Sequence, residues 1–146
     1  MRQKRNHPRQ VLTTRRRWWS ERRKPSDAYI IATRRAVCKP EKGEQPVKIY
    51  IAGKITGDNE YRAKFQEATS TMEALGHVVL NPAILPAGLE EWDYMQITLA
   101  MLNAADLAVF LPDYQESAGA MIEWAWCKRS KKECALYLDI KGGGQG

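Results

Sequence analysis

Cysteine is scarce in this chain: Cys38, Cys127 and Cys134 are the only three among 146 residues, and they stand at no metal-ligand spacing. An odd number in a short chain argues against a disulfide framework and points to a reducing, cytoplasmic compartment. Long apolar runs are also missing. None approaches the ~20 residues of a membrane-spanning helix, so no membrane partner is expected. The apolar patch that follows the basic start, Ala28 to Thr33, is short and runs into Arg34 and Arg35, which excludes a signal peptide. Histidine is limited to His7 and His77. With no second ligand nearby, His77 reads as a strand-edge residue rather than a metal ligand, and neither metal nor cofactor is expected. GxGxxG and the Walker spacing are absent.

Charge is divided unevenly. Residues 1–46 hold 14 Lys/Arg against 4 Asp/Glu, a net +10, whereas residues 47–146 hold 9 against 13, a net −4. The first part shows no convincing period and reads as a disordered basic arm. Two other readings stay open. Arg15–Arg16–Arg17–Trp18–Trp19 interleaves guanidiniums with indoles, a combination that grips nucleic acid by charge and stacking. Alternatively the arm is not translated: Lys42–Gly43–Glu44 is encodable as a bacterial ribosome-binding sequence, and Val47 as a GTG start codon just where order begins.

From Val47 onwards, strands alternate with helices. Val47–Ala52 is β-rich, with Ile49 and Ile51 on one face and Tyr50 on the other. Gly53–Lys54–Ile55–Thr56–Gly57 follows, either a backbone opened for a ligand or a plain tight turn. A helix is expected from Asp58 or Asn59 to Leu75, where Gly76 ends it, then a strand over His77–Leu80 and a loop over 82–90. A second helix runs from Glu90 to Asn103, a third strand over Leu107–Leu111, a third helix from Ser117 to Lys131 and a fourth strand over Cys134–Leu138. The GGGQG end, within a tail from 141 to 146, is expected to be flexible. This alternation implies right-handed crossovers and a doubly wound parallel sheet in strand order 2-1-3-4. Its switch point then lies between strands one and three, where the Gly53–Gly57 and Pro112–Gly119 loops share a crevice.

Pro112–Ala125, PDYQESAGAMIEWA, is the most informative stretch. Glu123 stands about one and a half turns into its helix, among Ala120, Met121, Ile122, Trp124, Ala125 and Trp126. A carboxylate there must be paired, neutralised or used.

KIYIAGKITG, ALGHVVLNPA, AADLAVFLPDY and SAGAMIEWA together resemble the nucleoside 2-deoxyribosyltransferase-like superfamily, in a branch common in bacteriophages and prophages. The resemblance covers about residues 47–138. It implies a flavodoxin-like sheet and cleavage of the N-glycosidic bond of a deoxynucleoside or its 5′-monophosphate. The nucleophile would be Glu123, held by Tyr50. The substrate would lie against Gly53, Lys54, Thr56, Gly57, Ser117 and Gly119. Ser117 stands where the nucleotide-hydrolysing branch has a phosphate-binding Ser and the nucleoside transferases carry an acid, so the resemblance implies a 5′-monophosphate substrate. The resemblance also implies a homo-oligomer. Two departures stand out. The helix before strand three lacks the usual acid at Tyr94–Leu99, leaving Asp93 as the nearest candidate, and Lys54 replaces a Pro or Ser.

Overall fold

The computed structural model describes residues 27–143, with side chains described over 32–142. Its elements are α1 (Asp27–Val37), β1 (Lys48–Ala52), α2 (Tyr61–Ala74), β2 (Val78–Leu80), α3 (Glu91–Ala104), β3 (Leu107–Phe110), α4 (Ala118–Ser130), β4 (Glu133–Leu136) and α5 (Tyr137–Gly143). Single 3₁₀ turns at Pro82–Ile84 and Tyr114–Glu116 lead into α3 and α4.

The four strands form one parallel sheet in the order β2-β1-β3-β4, as the alternation of elements predicts. Ile49 pairs with Leu107 and Ala52 with Phe110 across the β1–β3 ladder; Ala108 pairs with Cys134 across β3–β4. Side chains alternate faces along each strand, so the sheet supplies two separate cores. One face carries Ile49, Ile51, Leu107, Val109 and Ala135 against Phe65, Ala68 and Met72 of α2, Ala36 of α1 and Ile140 of α5. The other carries Tyr50, Ala52, Ala108, Phe110 and Cys134 against Leu102 of α3 and Ala120, Trp124 and Cys127 of α4. Each large side chain buried this way contributes roughly 1.5–3 kcal/mol, and coverage on both faces explains the near-continuous apolar strands.

Helix ends follow local chemistry. Gly76, at φ +87, closes α2. Its N–H donates to the Glu73 carbonyl, and that of His77 donates to the Met72 carbonyl, a Schellman arrangement that satisfies the last free carbonyls. Ser117 caps α4, its Oγ accepting from the Ala120 N–H at 3.2 Å. Lys131 leaves α4 in the left-handed region at φ 58.

Two expectations are corrected. The arm reading extended disorder to residue 46, but Asp27–Val37 is helical and seals Ala32 and Ala36 completely. The i, i+4 alanines turn one face of α1 inward, while Arg34 and Arg35 between them conceal the period. Arg35 pairs with Glu133 of β4 at 2.5 Å. Residues 1–26, including the Arg15–Trp19 segment, lie outside the described residues. At the other end, β4 stops at Leu136 and α5 replaces both the end of the expected strand and the start of the flexible tail. Tyr137 and Ile140, three apart, turn back into the core. Lys141 pairs with Glu67 at 2.8 Å. No helix among the described residues is long and apolar enough to cross a membrane.

Candidate functional site

Glu123 lies on the buried face of α4 between Ala120 and Cys127, only 5% exposed. Tyr50 reaches it from the middle of β1, because the alternation that sends Ile49 and Ile51 to the α2 side sends Tyr50 to the α4 side. The Tyr50 Oη donates to Glu123 Oε1 at 2.7 Å. Thr98, from the buried face of α3, brings its hydroxyl against both groups. The site therefore joins three elements around one carboxylate.

Burial is the dominant influence on that carboxylate. It pushes the Glu123 pKa up to about 7, against the opposing hydrogen bonds from Tyr50 and Thr98. The Tyr50 phenol is driven above its ordinary range, chiefly by burial and then by the adjacent carboxylate, and so remains a neutral donor. A buried carboxylate is most simply explained by an ion pair. Here, among the described residues, the ion pairs are Arg35–Glu133, Lys64–Asp58, Lys64–Asp113 and Lys141–Glu67, and none includes Glu123. The Tyr50 hydroxyl holds it instead, with Thr98 close by, leaving a group poised to change charge near neutral pH.

The crevice loops meet at the carboxyl ends of β1 and β3. The Lys54 N–H donates to Asp113 Oδ1 at 3.1 Å, and the Leu111 N–H donates to the Ala52 carbonyl at 2.8 Å. Lys64 of α2 ties the two loops together. Its ammonium donates to the Lys54 carbonyl at 3.0 Å, to Asp58 at 2.6 Å and to Asp113. Burial disfavours its charge, but Asp113 and Asp58 outweigh that and raise its pKa. Asp58 is lowered by Lys64 and by the Glu60 N–H.

Other expected residues divide by what surrounds them. Gly53 is required by packing: a Cβ there would come within 2.9 Å of Leu111 Cδ1 and 3.0 Å of Leu111 Cβ. Gly57, at φ +78, faces open space, and Thr56 is exposed beside it. A Cβ at Gly119 would meet only Ser117 Oγ, at 3.9 Å, so the first turn of α4 is roomy. Asp93 is not brought to the carboxylate. It is exposed at the start of α3, where its Oδ2 accepts from the Glu90 N–H at 3.2 Å. Thr98, more than a turn further along α3, occupies the position facing Glu123. Trp124 is structural: it packs edge-on to Phe110 at 4.8 Å. Trp126 is 41% exposed and donates to Asn103 Oδ1 at 2.8 Å.

A family model described as a domain of unknown function, DUF4406, matches residues 47–135. The chain belongs to the DUF4406 family. No curated protein matches it. The DUF4406 match begins at β1 and ends within β4, so it contains Tyr50, Thr98, Glu123 and both crevice loops, while α1 and α5 lie outside it.

Sequence reasoning missed Thr98 as a contact, and it missed Lys64 and Asp113 altogether. Asp113 carried a signal, an acid directly after the strand-ending Pro112 at the switch point. Lys64 carried none, because a lysine on an amphipathic helix is ordinary.

Proposed function

We propose that this protein cleaves the N-glycosidic bond of a deoxynucleoside 5′-monophosphate, with Glu123 as nucleophile. The observation that carries the reading is the buried carboxylate held by Tyr50 at 2.7 Å without a cation. Ionised, it attacks C1′ on the face opposite the base. The C1′–N bond breaks, and its electron pair leaves with the base, which takes a proton from water. Water then attacks C1′ of the glycosyl ester, loses its proton to the hydroxide left when the base was protonated, and frees the carboxylate, with retention overall. Tyr50 orients the attacking oxygen and stays protonated throughout. Rigidity comes from α4 packed on the sheet, which fixes the attack geometry.

The phosphate preference rests on the start of α4. Ser117, the free space over Gly119 and the helix dipole together suit a dianion. A rise of 1.5 Å per residue separates Ser117 from Glu123 by about 9 Å along the axis. The expected homo-oligomer belongs to the same proposal.

One observation favours a second reading, a nucleotide-binding protein without turnover. Facing Glu123, α3 presents Thr98 rather than an acid, and Asp93 is engaged with the Glu90 N–H. Base release from the common deoxynucleoside monophosphates, followed by chromatography, separates the two. Release by the native protein and none by Glu123→Ala supports cleavage. Thermal shifts with nucleotides but no release support binding alone.

A further inference from the structure

Trp92 is 68% exposed in the first turn of α3 and belongs to neither core. The acids around it, Glu90, Glu91 and Asp93, suit the positive end of the helix dipole, but an indole gains nothing there. Single exposed apolar side chains are ordinary. What sets this one apart is where it points.

Its direction follows from a contact lower on the same helix. Helices α3 and α4 cover one face of the sheet, and each leads from one parallel strand to the next, so they run side by side in the same sense. Asn103 faces α4, because its Oδ1 accepts from the Trp126 indole N–H. Trp92 precedes Asn103 by about three whole turns, which places it on the same stripe of α3, about 16 Å nearer the helix start. Trp126 is only about 12 Å from the start of α4. Trp92 therefore projects past the first turn of α4, where Ser117 caps the helix and Gly119 leaves open space. One turn further in, Met95 is half-buried yet belongs to neither core. One turn below that, Thr98 lies against Glu123. The three side chains mark a path from the mouth of the crevice to the carboxylate.

The start of α3 is also firmly held. Tyr94 Oη donates to the Pro86 carbonyl at 2.5 Å and accepts from the Leu89 N–H at 3.3 Å, which fastens the preceding loop. A wall fixed before binding costs less ordering when a ligand arrives.

We propose that Trp92, with Met95 beneath it, is the wall on which the nucleobase of the substrate stacks. The inference rests on the reading of Glu123 given above and places the part of the substrate that reading leaves free. Attack on C1′ opposite the base leaves the base pointing away from Glu123, towards the mouth. Glu90, Glu91 and Asp93 repel a phosphate at this end, so an uncharged ring is the part that fits, with the phosphate at Ser117. An indole face stacks on any base, and a thioether adds a soft, adaptable surface. Trp92 thus supplies affinity for the base with little discrimination among bases.

The test uses the full chain carrying Glu123→Gln. Calorimetry compares the four common deoxynucleoside 5′-monophosphates with 2-deoxyribose 5-phosphate, which has the sugar and phosphate but no base. The expected result is that W92A weakens nucleotide binding about tenfold or more and leaves 2-deoxyribose 5-phosphate unaffected, while W92F keeps most of the nucleotide affinity. With Glu123 restored, W92A should raise KM for base release by a similar factor and change kcat little. Equal nucleotide affinity with and without the indole overturns this proposal alone and leaves the Glu123 chemistry standing. Equal weakening of both ligands does the same, since it marks a disturbed crevice rather than a lost base contact. So does a change in the sedimentation of W92A, which marks Trp92 as a contact between copies. No binding by any probe, together with no base release by the native protein, overturns the parent reading and this one with it.

Discussion

Replacing Glu123 by Gln should make the protein more stable at alkaline pH relative to acidic pH than the native chain is. The carboxylate has a pKa of about 7 in the fold against an ordinary value of 4.5. Between these values the native state keeps a proton that the unfolded chain has lost. Stability therefore falls as pH rises across that window and levels off above it. A shift of about 2.5 units at 1.36 kcal/mol each corresponds to about 3 kcal/mol. Glutamine retains the acceptor for Tyr50 but cannot ionise. It also buries an NH₂ group that costs roughly 1–3 kcal/mol if unsatisfied, so the absolute change in stability at one pH is ambiguous in sign. The pH dependence is not, because that cost cancels in the difference. Urea unfolding of both proteins from pH 4.5 to 8.5 gives two curves. The native curve should descend relative to the variant by about 3 kcal/mol, roughly 10 °C in Tm for a chain of this size. Parallel curves, separated by a constant, would show that Glu123 titrates normally and would remove the basis for its special role.

Four further outcomes follow from the same geometry. The acid limb of kcat/KM should rise with pH up to about 7, as Glu123 ionises, and then flatten; a limb near 4.5 would contradict the assignment. Tyr50→Phe removes the 2.7 Å hydrogen bond that lowers the Glu123 pKa; the limb should move to higher pH and kcat should fall about 10- to 100-fold, the worth of one hydrogen bond to a charged group, measured by base release. Gly53→Ala drives a Cβ against Leu111 at 2.9 Å and should cost roughly 1–3 kcal/mol in urea unfolding. Lys64→Met cuts the tie between the crevice loops, so the Lys54 amide should exchange hydrogen faster while amides of β3 keep their protection.

The sheet was legible because its signals were local and redundant. Each strand is a short apolar run, each of the three helices between strands has visible stop or start chemistry, and parallel order follows from alternation. Glu123 was legible for a different reason, as the lone acid in an apolar helix, whereas the role of Tyr50 came from the resemblance, because a tyrosine in a strand is ordinary. The helix Asp27–Val37 was not legible, because a burial stripe of two alanines is faint beside strong positive charge. Nor was α5, whose Tyr137 and Ile140 resemble the end of a strand until the chain is seen to turn. Gly53 has a packing role besides the one its place in the turn suggests. Its missing side chain makes room for Leu111, a contact 58 residues away in sequence that no spacing rule reveals. The partnership of Lys64 with Asp113 is hidden in the same way.

Glu123→Gln soaked with a deoxynucleoside 5′-monophosphate is the most direct trial of the chemistry. The bound nucleotide should place C1′ about 3–3.5 Å from the side-chain oxygen at position 123, with its phosphate against Ser117 and the first turn of α4. A nucleotide bound with its anomeric carbon remote from position 123, or a side chain there closed off from the bound sugar, would contradict nucleophilic attack by Glu123.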